Sequence, residues 1–138
     1  MAKLTRFGVS LDDGLLAAFD QLCRQRGYAT RSEAIRDLVR NALTEARWGE
    51  APVCGGTLTL VYDHHRHDLS RKLMAIQHDF HDSIVATMHV HLDHHNCMEC
   101  LALKGDPLAV QTLADRLIAC RGVKYGVFNR APNAEDLA

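Results

Sequence analysis

Polar and apolar residues alternate at the start of the chain and then recur at helical spacing. Over residues 4–11 the even-numbered positions are mostly polar and the odd-numbered ones mostly apolar, a pattern typical of a strand. Apolar residues then follow a helical period over residues 12–26 and again over residues 30–46. One strand and two helices bury little apolar surface alone, so we expect the strand to pair with that of a second copy.

Capping residues mark the ends of both predicted helices. Asp12 or Asp13 suits the N-cap of the first helix, and Gly27 suits the position after its end. Thr30 and Glu33 have the spacing of a capping box, in which each side chain accepts a hydrogen bond from a backbone N–H near the other.

The remainder of the chain shows strand and helix patterns in the order strand, helix, strand, strand, helix, strand. The strands are predicted at 57–63, 84–93, 96–103 and 123–129, and the helices at 67–81 and 107–120. This βαββαβ order is the ferredoxin-like arrangement, in which helices cover one face of a sheet and leave the other open. We expect the open face to meet solvent or another subunit.

Proline and glycine gather between the two patterns. Residues 47–56 contain one proline and three glycines, which is typical of a linker. We therefore predict a βαα domain over residues 1–48, a linker over residues 49–56 and a βαββαβ domain over residues 57–138. The fold class is α+β.

Composition excludes several classes of protein. Hydrophobic residues make up 47% of the chain, enough for a core and too many for intrinsic disorder. No apolar run reaches the roughly 18–20 residues needed to cross a membrane, and no apolar signal region follows the first charges. The five cysteines are an odd number, which argues against a disulfide framework. These features predict a cytoplasmic protein of a prokaryotic kind, with no membrane partner.

Charge and histidine are unevenly distributed along the chain. Residues 1–48 carry eight Lys/Arg and six Asp/Glu, a net of +2, whereas residues 49–138 carry eight and eleven, a net of −3. All nine histidines fall between His64 and His95. The weakly basic first segment favours a nucleic-acid partner, and the histidines favour a metal site in the second.

A His-x-His pair lies in the strand predicted at residues 84–93. Residues two apart on a strand share a face, so His89 and His91 present two imidazoles side by side. The apolar residues that alternate with them along the strand are expected to pack on the helices, and they are Ala86, Met88, Val90 and Leu92. This places both histidines on the face away from the core. Cys97 follows the hairpin turn and can lie beside them. Two imidazoles and a thiolate suit nickel, copper, zinc or cobalt rather than magnesium or calcium.

Three ligands leave such a site incomplete. The candidates for a fourth ligand are His78, His81 and His64. Tyr62 and Glu99, together with His64, are candidate hydrogen-bond partners of the ligands.

The first segment has the features of a DNA-binding surface. A two-stranded ribbon formed by two copies fits the major groove of B-DNA, where Arg6 and Ser10 would meet base edges and Gly8 would permit close approach. The start of the second helix, at Arg31 and Ser32, would present backbone N–H groups to a phosphate. These residues alone leave open a strand that only dimerises.

Several motifs occur in an order that resembles a known family. Those that resemble ribbon-helix-helix repressors are SLDD at 10–13, RGY at 26–28 and RSEAIRD at 31–37. Those that resemble the nickel-responsive regulators, NikR, are QH at 77–78, VATMHVH at 85–91, the cysteine at 97 and LKGD at 103–106. The resemblance covers nearly the whole chain.

The resemblance implies an assembly and a metal site. In that family a homotetramer, a dimer of dimers, places two ribbon-helix-helix dimers beside a core of four ACT-type, ferredoxin-like domains. One Ni²⁺ per subunit lies in a square-planar site at an interface of this core. His89, His91 and Cys97 match the ligands of one subunit, and His78 matches the ligand from another.

The resemblance also implies DNA contacts and a second cation site. Arg6, Gly8 and Ser10 match the positions that read a palindromic operator, although the family commonly has a side-chain reader where this chain has Gly8. Glu33 and Asp37 match acidic positions near a second cation. The family represses nickel-uptake genes when nickel is abundant.

Other functions fit part of this pattern. A sensor of copper, zinc or cobalt would use the same donors, and a metal storage or chaperone protein would use the histidines without reading DNA. An enzyme would need an open coordination position and a nearby acid or base, which a closed four-ligand site does not offer. We therefore predict a nickel-dependent, sequence-specific DNA-binding regulator that is not an enzyme.

Overall fold

The computed structural model describes residues 3–137. The helices are α1 (Asp13–Arg26), α2 (Arg31–Arg47), α3 (His67–Asp79) and α4 (Pro107–Ile118). The strands are β1 (Cys54–Asp63), β2 (Ile84–His91), β3 (Asn96–Gly105) and β4 (Val123–Arg130). Short 3-10 turns lie at Trp48–Glu50, His81–Ser83 and Ala134–Leu137. Met1, Ala2 and Ala138, the outermost positions of the two predicted domains, lie outside the described residues.

The predicted caps form at α1 and α2. The Asp12 carboxylate accepts a hydrogen bond from the N–H of Leu15 at 2.9 Å, and Gly27 ends the helix in the left-handed conformation at φ 78°. The Thr30 hydroxyl accepts from the N–H of Glu33 at 3.2 Å, and the Glu33 carboxylate accepts from the backbone N–H four residues before it at 3.1 Å. The capping box is thereby confirmed.

The strand predicted at residues 4–11 does not form in the single chain, and because it was predicted to pair with a second copy it stays a prediction. This segment has no assigned secondary structure and is exposed throughout. Leu4, Phe7 and Val9 are 88%, 73% and 59% exposed. A strand exists only through hydrogen bonds to a neighbour, and one chain offers this segment none.

The second half of the chain forms a four-stranded antiparallel sheet in the order β2-β3-β1-β4. Helices α3 and α4 cross over between strands, which confirms the predicted ferredoxin-like order. The core lies between one face of the sheet and these two helices. Its fully buried side chains are Leu58, Leu60, Leu69, Leu73, Leu101, Val110, Leu113 and Leu117. Each such side chain contributes about 1.5–3 kcal/mol of transfer free energy.

Strand β1 begins at Cys54, so residues 54–56 belong to the sheet and not to the predicted linker. Gly56 is required there because a Cβ atom would lie 2.5 Å from the carbonyl oxygen of Asn129 and 2.7 Å from the ring of Phe128. Trp48 is buried beside them: its indole N–H donates to the Gly55 carbonyl at 2.9 Å, and its ring meets Phe128 edge-on at 5.6 Å. The glycines of this segment therefore serve close packing.

The first and second halves of the chain meet near the end of α2. Arg47 forms an ion pair of 3.2 Å with the buried carboxylate of Asp136, and Arg130 forms one of 2.8 Å with Glu45. These contacts tie α2 to the last strand and to the C-terminal 3-10 turn.

The histidines of β2 lie on the opposite face from the one predicted. Residues directly opposite each other in an antiparallel pair share a face. His89 lies opposite Glu99, which lies opposite the fully buried Leu60, so both histidines lie on the helix side of the sheet. Strand β2 is an edge strand that the helices leave exposed, so polar residues are tolerated on its helix side. Met88 and Val90 lie on the open face instead.

Candidate metal centre

Two neighbouring strands present the predicted ligands. His91 on β2 lies directly opposite Cys97 on β3, and His89 lies directly opposite Glu99. Cβ atoms of such opposed residues are about 4.5–5.5 Å apart, so an imidazole and a thiol can approach one ion. Because β2 is the edge of the sheet, this row of side chains is open on one side.

The Glu99 carboxylate is buried and has three partners. Tyr62 donates its hydroxyl to one oxygen at 2.6 Å, and Gln77 donates its side-chain amide to the other at 2.9 Å. The Nε2 atom of His89 lies 3.4 Å from the oxygen that Tyr62 contacts. A carboxylate that accepts one imidazole N–H fixes the ring orientation and leaves the other nitrogen for a metal. The His89 side chain is 53% exposed, so that nitrogen can meet an incoming ion.

The thiol of Cys97 is buried beside this carboxylate. Burial, followed by the negative charge of Glu99, raises the pKa of Cys97 above its ordinary value. Burial and the hydrogen bond to Glu99 likewise raise the pKa of Tyr62. Without a metal both groups therefore hold their protons at neutral pH, and an ion must displace the thiol proton as it binds. The donor set of two imidazoles and one thiolate fits a borderline transition metal.

His64 packs against the predicted ligand His91. The two rings are stacked, with centroids 4.6 Å apart and an interplanar angle of 12°. The Nδ1 atom of His64 is buried and has no hydrogen-bond partner within residues 3–137. Burial, with the nearby rings of His65 and His91, lowers the pKa of His64, so this ring is neutral and steadies His91 by stacking.

The fourth predicted ligand lies on a helix, whereas the other three lie on or beside strands β2 and β3. His78 lies on the last turn of α3, is exposed, and stacks on His81 with ring centroids 6.0 Å apart. Within residues 3–137, neither the three ligands His89, His91 and Cys97 nor the set of four with His78 has all its ligand atoms within 4.8 Å of one another. A single chain therefore does not gather the complete predicted set.

Comparison with known proteins identifies the family. The family model described as NikR C terminal nickel binding domain matches residues 55–130, and that of the ribbon-helix-helix protein, copG family, matches residues 5–46. The chain belongs to the NikR family of nickel-responsive regulators. NikR membership makes it a DNA-binding, nickel-responsive transcriptional regulator and not an enzyme. It also confirms the predicted fold class.

Relatives match along their full length. A protein of Desulfovibrio desulfuricans named "Putative nickel-responsive regulator" is 62% identical over 138 residues, which is 100% of both chains. Proteins of the same name from Nitratidesulfovibrio vulgaris and a Geobacter strain are 54% and 51% identical, over 99% of each chain. A solved structure of an uncharacterized protein from Thermotoga maritima has a TM-score of 0.51 at 20% identity. It covers 56% of this chain and 96% of its own, and it shows a likeness of fold alone.

The predicted DNA-contacting residues of this NikR chain are exposed. Arg6, Gly8 and Ser10 lie in the unpaired N-terminal segment. Arg31 is engaged elsewhere, because its guanidinium donates two hydrogen bonds of 2.8 Å to the carboxylate of Asp20 on α1. That contact lowers the pKa of Asp20. Ser32 is exposed on the first turn of α2.

The two acidic residues predicted for a second cation have other partners in the single chain. Asp37 accepts a hydrogen bond of 2.7 Å from the Tyr28 hydroxyl, and Glu33 belongs to the capping box. An open groove beside them is lined by Tyr28, Glu33, Arg36, Asp37 and Arg40. The two arginines add positive charge there, which weakens the attraction for a cation.

Two groups of side chains in this NikR chain were not predicted from the sequence. Gln77 holds the buried carboxylate of Glu99, and its position one residue before His78 is the signal that could have found it. The second is a group of Asp63, His65 and His95, whose ligand atoms all lie within 4.8 Å of one another.

Among residues 3–137, no helix is both long and apolar enough to cross a membrane.

Proposed function

We propose that this chain is a nickel-gated repressor of nickel-uptake genes. One Ni²⁺ per subunit binds His89, His91 and Cys97, and His78 of a neighbouring subunit completes the coordination. Nickel bound in this way supplies a link between subunits, and the link favours the arrangement in which the N-terminal segments fit DNA. The protein acts in the cytoplasm, where its DNA lies.

One observation carries the proposal: the three donors lie across two paired strands at an open edge of the sheet. His91 and Cys97 share a row, His89 follows on the same face, and the buried Glu99 orients it. His78 is exposed on a helix end. A site with three donors at an edge and a fourth candidate pointing into solvent is best completed across an interface.

Exposed apolar surface supports the homotetramer, a dimer of dimers. The N-terminal segment exposes apolar side chains that a second copy would cover by pairing strands at residues 4–11. The open face of the sheet carries further apolar residues, which two such dimers could bury against each other. They are Val61, Met88, Val90, Met98 and Val127.

The paired strands would read a palindromic operator through the major groove. Arg6 and Ser10 would contact base edges, with Gly8 allowing close approach. Backbone N–H groups near Arg31 and Ser32 would contact a phosphate, since the cap formed by Thr30 uses the N–H of Glu33. Asp37 and Glu33 would exchange their present partners for a cation if the second cation site forms. The domain division predicted at residues 1–48, 49–56 and 57–138 belongs to the same proposal, except that residues 54–56 join the second domain as the start of β1.

Nickel must supply a coupling free energy of several kcal/mol to act as a full switch. A shift of the population from 1:99 to 99:1 needs about 5.5 kcal/mol of preference for one arrangement. A ligand bond that exists only in the assembled interface can provide such a preference, because the ion binds that arrangement better than the other.

The direct test measures operator binding of the full chain with and without stoichiometric nickel, on DNA found by footprinting the region upstream of its own coding sequence. We expect tight, site-specific binding only with nickel. Equal affinity in both conditions would show that nickel does not gate the protein. Repression is then read from a reporter fused to the same DNA, and higher expression with nickel would contradict it.

Mixing two variants tests whether the fourth ligand crosses an interface. His78→Ala and Cys97→Ser each lack one ligand of every site, so neither alone should show the planar nickel spectrum with its thiolate charge-transfer band. Mixed tetramers contain interfaces that join an intact Cys97 to an intact His78, and the band should reappear in part. No recovery on mixing would contradict the interfacial ligand. His81→Ala is the matched control and should keep the band.

Copper, zinc and cobalt remain chemical competitors for this donor set. Divalent affinities generally rise through nickel to copper, so affinity alone does not identify the gating metal. The operator assay repeated with each ion separates these cases. For each ion, the free concentration that induces operator binding is compared with the concentration that the cell supplies. In a regulator gated by nickel, this ratio should be lowest for nickel. A storage or chaperone protein would leave no footprint with any of them.

A further inference from the structure

A second group of metal-binding side chains lies where β1 ends beside the β2–β3 turn. Asp63 is the last residue of β1, His65 follows two residues later, and His95 lies in the turn. Their ligand atoms all lie within 4.8 Å of one another. We propose that Asp63, His65 and His95 bind a divalent first-row transition-metal ion at a second site that uses none of the ligands of the proposed nickel site.

Backbone hydrogen bonds hold the two loops together. The N–H of His64 donates to the carbonyl of His95 at 3.2 Å, which joins the end of β1 to the turn. The Asp93 carboxylate accepts from the N–H groups of His95 and Asn96, both at 2.8 Å, and fixes the shape of the turn. The three donors are therefore carried by a tied framework and not by two independent loops.

The ring of His65 is oriented as in many metal sites. Its Nε2 atom lies 2.9 Å from the carbonyl oxygen of His94. A carbonyl can only accept, so Nε2 carries the proton and Nδ1 keeps its lone pair. Histidines that bind metals usually donate their second ring N–H to a carbonyl or carboxylate in this way.

Asp63 supplies negative charge at this point. Its carboxylate accepts a hydrogen bond of 2.9 Å from the N–H of His65, and this bond lowers the pKa of Asp63. Lys124 is near but donates to the side-chain oxygen of Asn96 at 2.6 Å. An ionised carboxylate beside two imidazoles is attractive to a divalent cation.

The donor set defines the class of ion. Two imidazoles favour zinc, nickel, cobalt or copper over calcium and magnesium, and three protein ligands leave positions for water. A tetrahedral ion with bonds of about 2.0–2.1 Å holds its donors about 3.3 Å apart. The side chains must therefore close by about 1.5 Å at most, and the exposed rings of His65 and His95 can do so by rotation.

Zinc binding by full-length variants tests this site. All variants carry Cys97→Ser, which removes the thiolate of the proposed nickel site, and bound Zn²⁺ is measured by equilibrium dialysis. We expect His65→Ala/His95→Ala to lose one zinc ion per chain relative to Cys97→Ser alone. Asp63→Asn, which keeps the acceptor for the His65 N–H, should weaken that ion's binding by more than the about 10–100-fold typical of losing an outer hydrogen-bond partner.

The matched control removes two other exposed histidines from the same end of the molecule. His67→Ala/His94→Ala should keep the zinc ion, because neither residue supplies a ligand and the carbonyl of residue 94 that His65 Nε2 contacts is kept in alanine. Equal loss in both double variants would show diffuse binding by a histidine-rich surface, and no loss in either would show that the site does not bind. Both outcomes overturn the proposal. Circular dichroism and sedimentation confirm that each variant remains folded and assembled.

The two proposals can fail separately. In the chain with Cys97 intact, His65→Ala/His95→Ala should retain nickel-dependent operator binding, because the second site contributes no ligand to the first. If nickel fails to gate operator binding while the zinc ion is lost as expected, the gating proposal falls and the second site stands.

Discussion

The two halves of the chain differ in how much of their structure one copy can complete. In the second half, Leu58, Leu60 and Leu101 are fully buried between the sheet and its helices. In the first half, Leu4 and Phe7 are 88% and 73% exposed, and their segment pairs with no other strand in the part of the chain that the structure describes. The difference teaches that the second half holds its own core, whereas the N-terminal segment of the first half leaves apolar surface that we propose a second copy covers.

The same contrast appears within the second half. Its core is complete, but the edge strand β2 is left uncovered. His89 and His91 lie on the helix side of this strand and are exposed to solvent beside a buried thiol and a buried carboxylate. Stability is stored where one chain is sufficient. The groups proposed to bind metal and DNA lie where one chain is insufficient, so under that proposal binding and assembly are physically coupled.

The largest effect is expected from a charge in the N-terminal segment. Phe7→Asp places a carboxylate in the apolar side of the paired strands in both copies, which should cost about 5 kcal/mol or more per dimer. Each 1.4 kcal/mol is tenfold, so dimerisation should weaken by more than about 1,000-fold. Sedimentation over a range of concentrations measures this. Arg6→Ala, on the other side of the same segment, should leave assembly intact and weaken only operator binding.

If Phe7→Asp left assembly unchanged, the N-terminal segments would not be the dimer interface, and the contrast between the halves would lose its explanation. Sedimentation with the variant at equal concentration to the wild type keeps the comparison free of mass-action effects.

A smaller effect is expected in the core of the second half. Leu101→Ala removes a fully buried side chain at the centre of the sheet and should lower the free energy of unfolding by about 2–5 kcal/mol. Leu108→Ala is the control, because Leu108 is 76% exposed on α4 and should change stability by about 0.5 kcal/mol or less. Urea unfolding at one protein concentration measures both. Similar losses would mean that Leu108 is buried in the assembled protein.

The sequence predicts local structure better than pairing. Both ends of α1 and the start of α2 are predicted to within one residue, because Asp12, Gly27 and Thr30 act on their immediate neighbours. The face of His89 is predicted wrongly, because the residue opposite it is decided by register, and register depends on strands far apart in the sequence. The apolar residues that alternate with His89 along β2 were predicted to face the core. An edge strand can instead present such residues on the open face of the sheet.

The metal ligands illustrate the same limit. Residue types and spacing indicate His91 and Cys97 as partners, and the register places them directly opposite each other. The group of Asp63, His65 and His95 was not predicted, because a loop and a hairpin turn bring these residues together and no periodic sequence pattern indicates such a contact. Contacts to another subunit are further beyond what one sequence shows.

A modest effect is expected from the capping box of α2. Thr30→Ala removes the acceptor for the N–H of Glu33 and should cost about 1 kcal/mol of stability. Ser32→Ala removes a hydroxyl from the same turn that makes no cap and should change stability by about 0.5 kcal/mol or less. Thermal unfolding of both variants checks this. If the two shifts were equal, the first half would not depend on its caps, and its weakness would lie in the missing partner alone.

The smallest effect concerns the exposed β2–β3 turn and depends on pH. Hydrogen bonds from the side chain and backbone of Asn96, followed by the N–H of His95, lower the pKa of Asp93 to about 2. An unfolded chain holds this group at about 3.9. The folded pKa is the lower one, so the ionised carboxylate stabilises the fold at neutral pH, and this contribution falls from about pH 4 towards pH 2. Asp93→Asn should therefore be less stable than the wild type at pH 6, and the gap should narrow as pH falls below about 4. Urea unfolding across that range measures the gap; a gap that is constant with pH would mean that the charge of Asp93 contributes nothing and only its hydrogen-bond geometry matters.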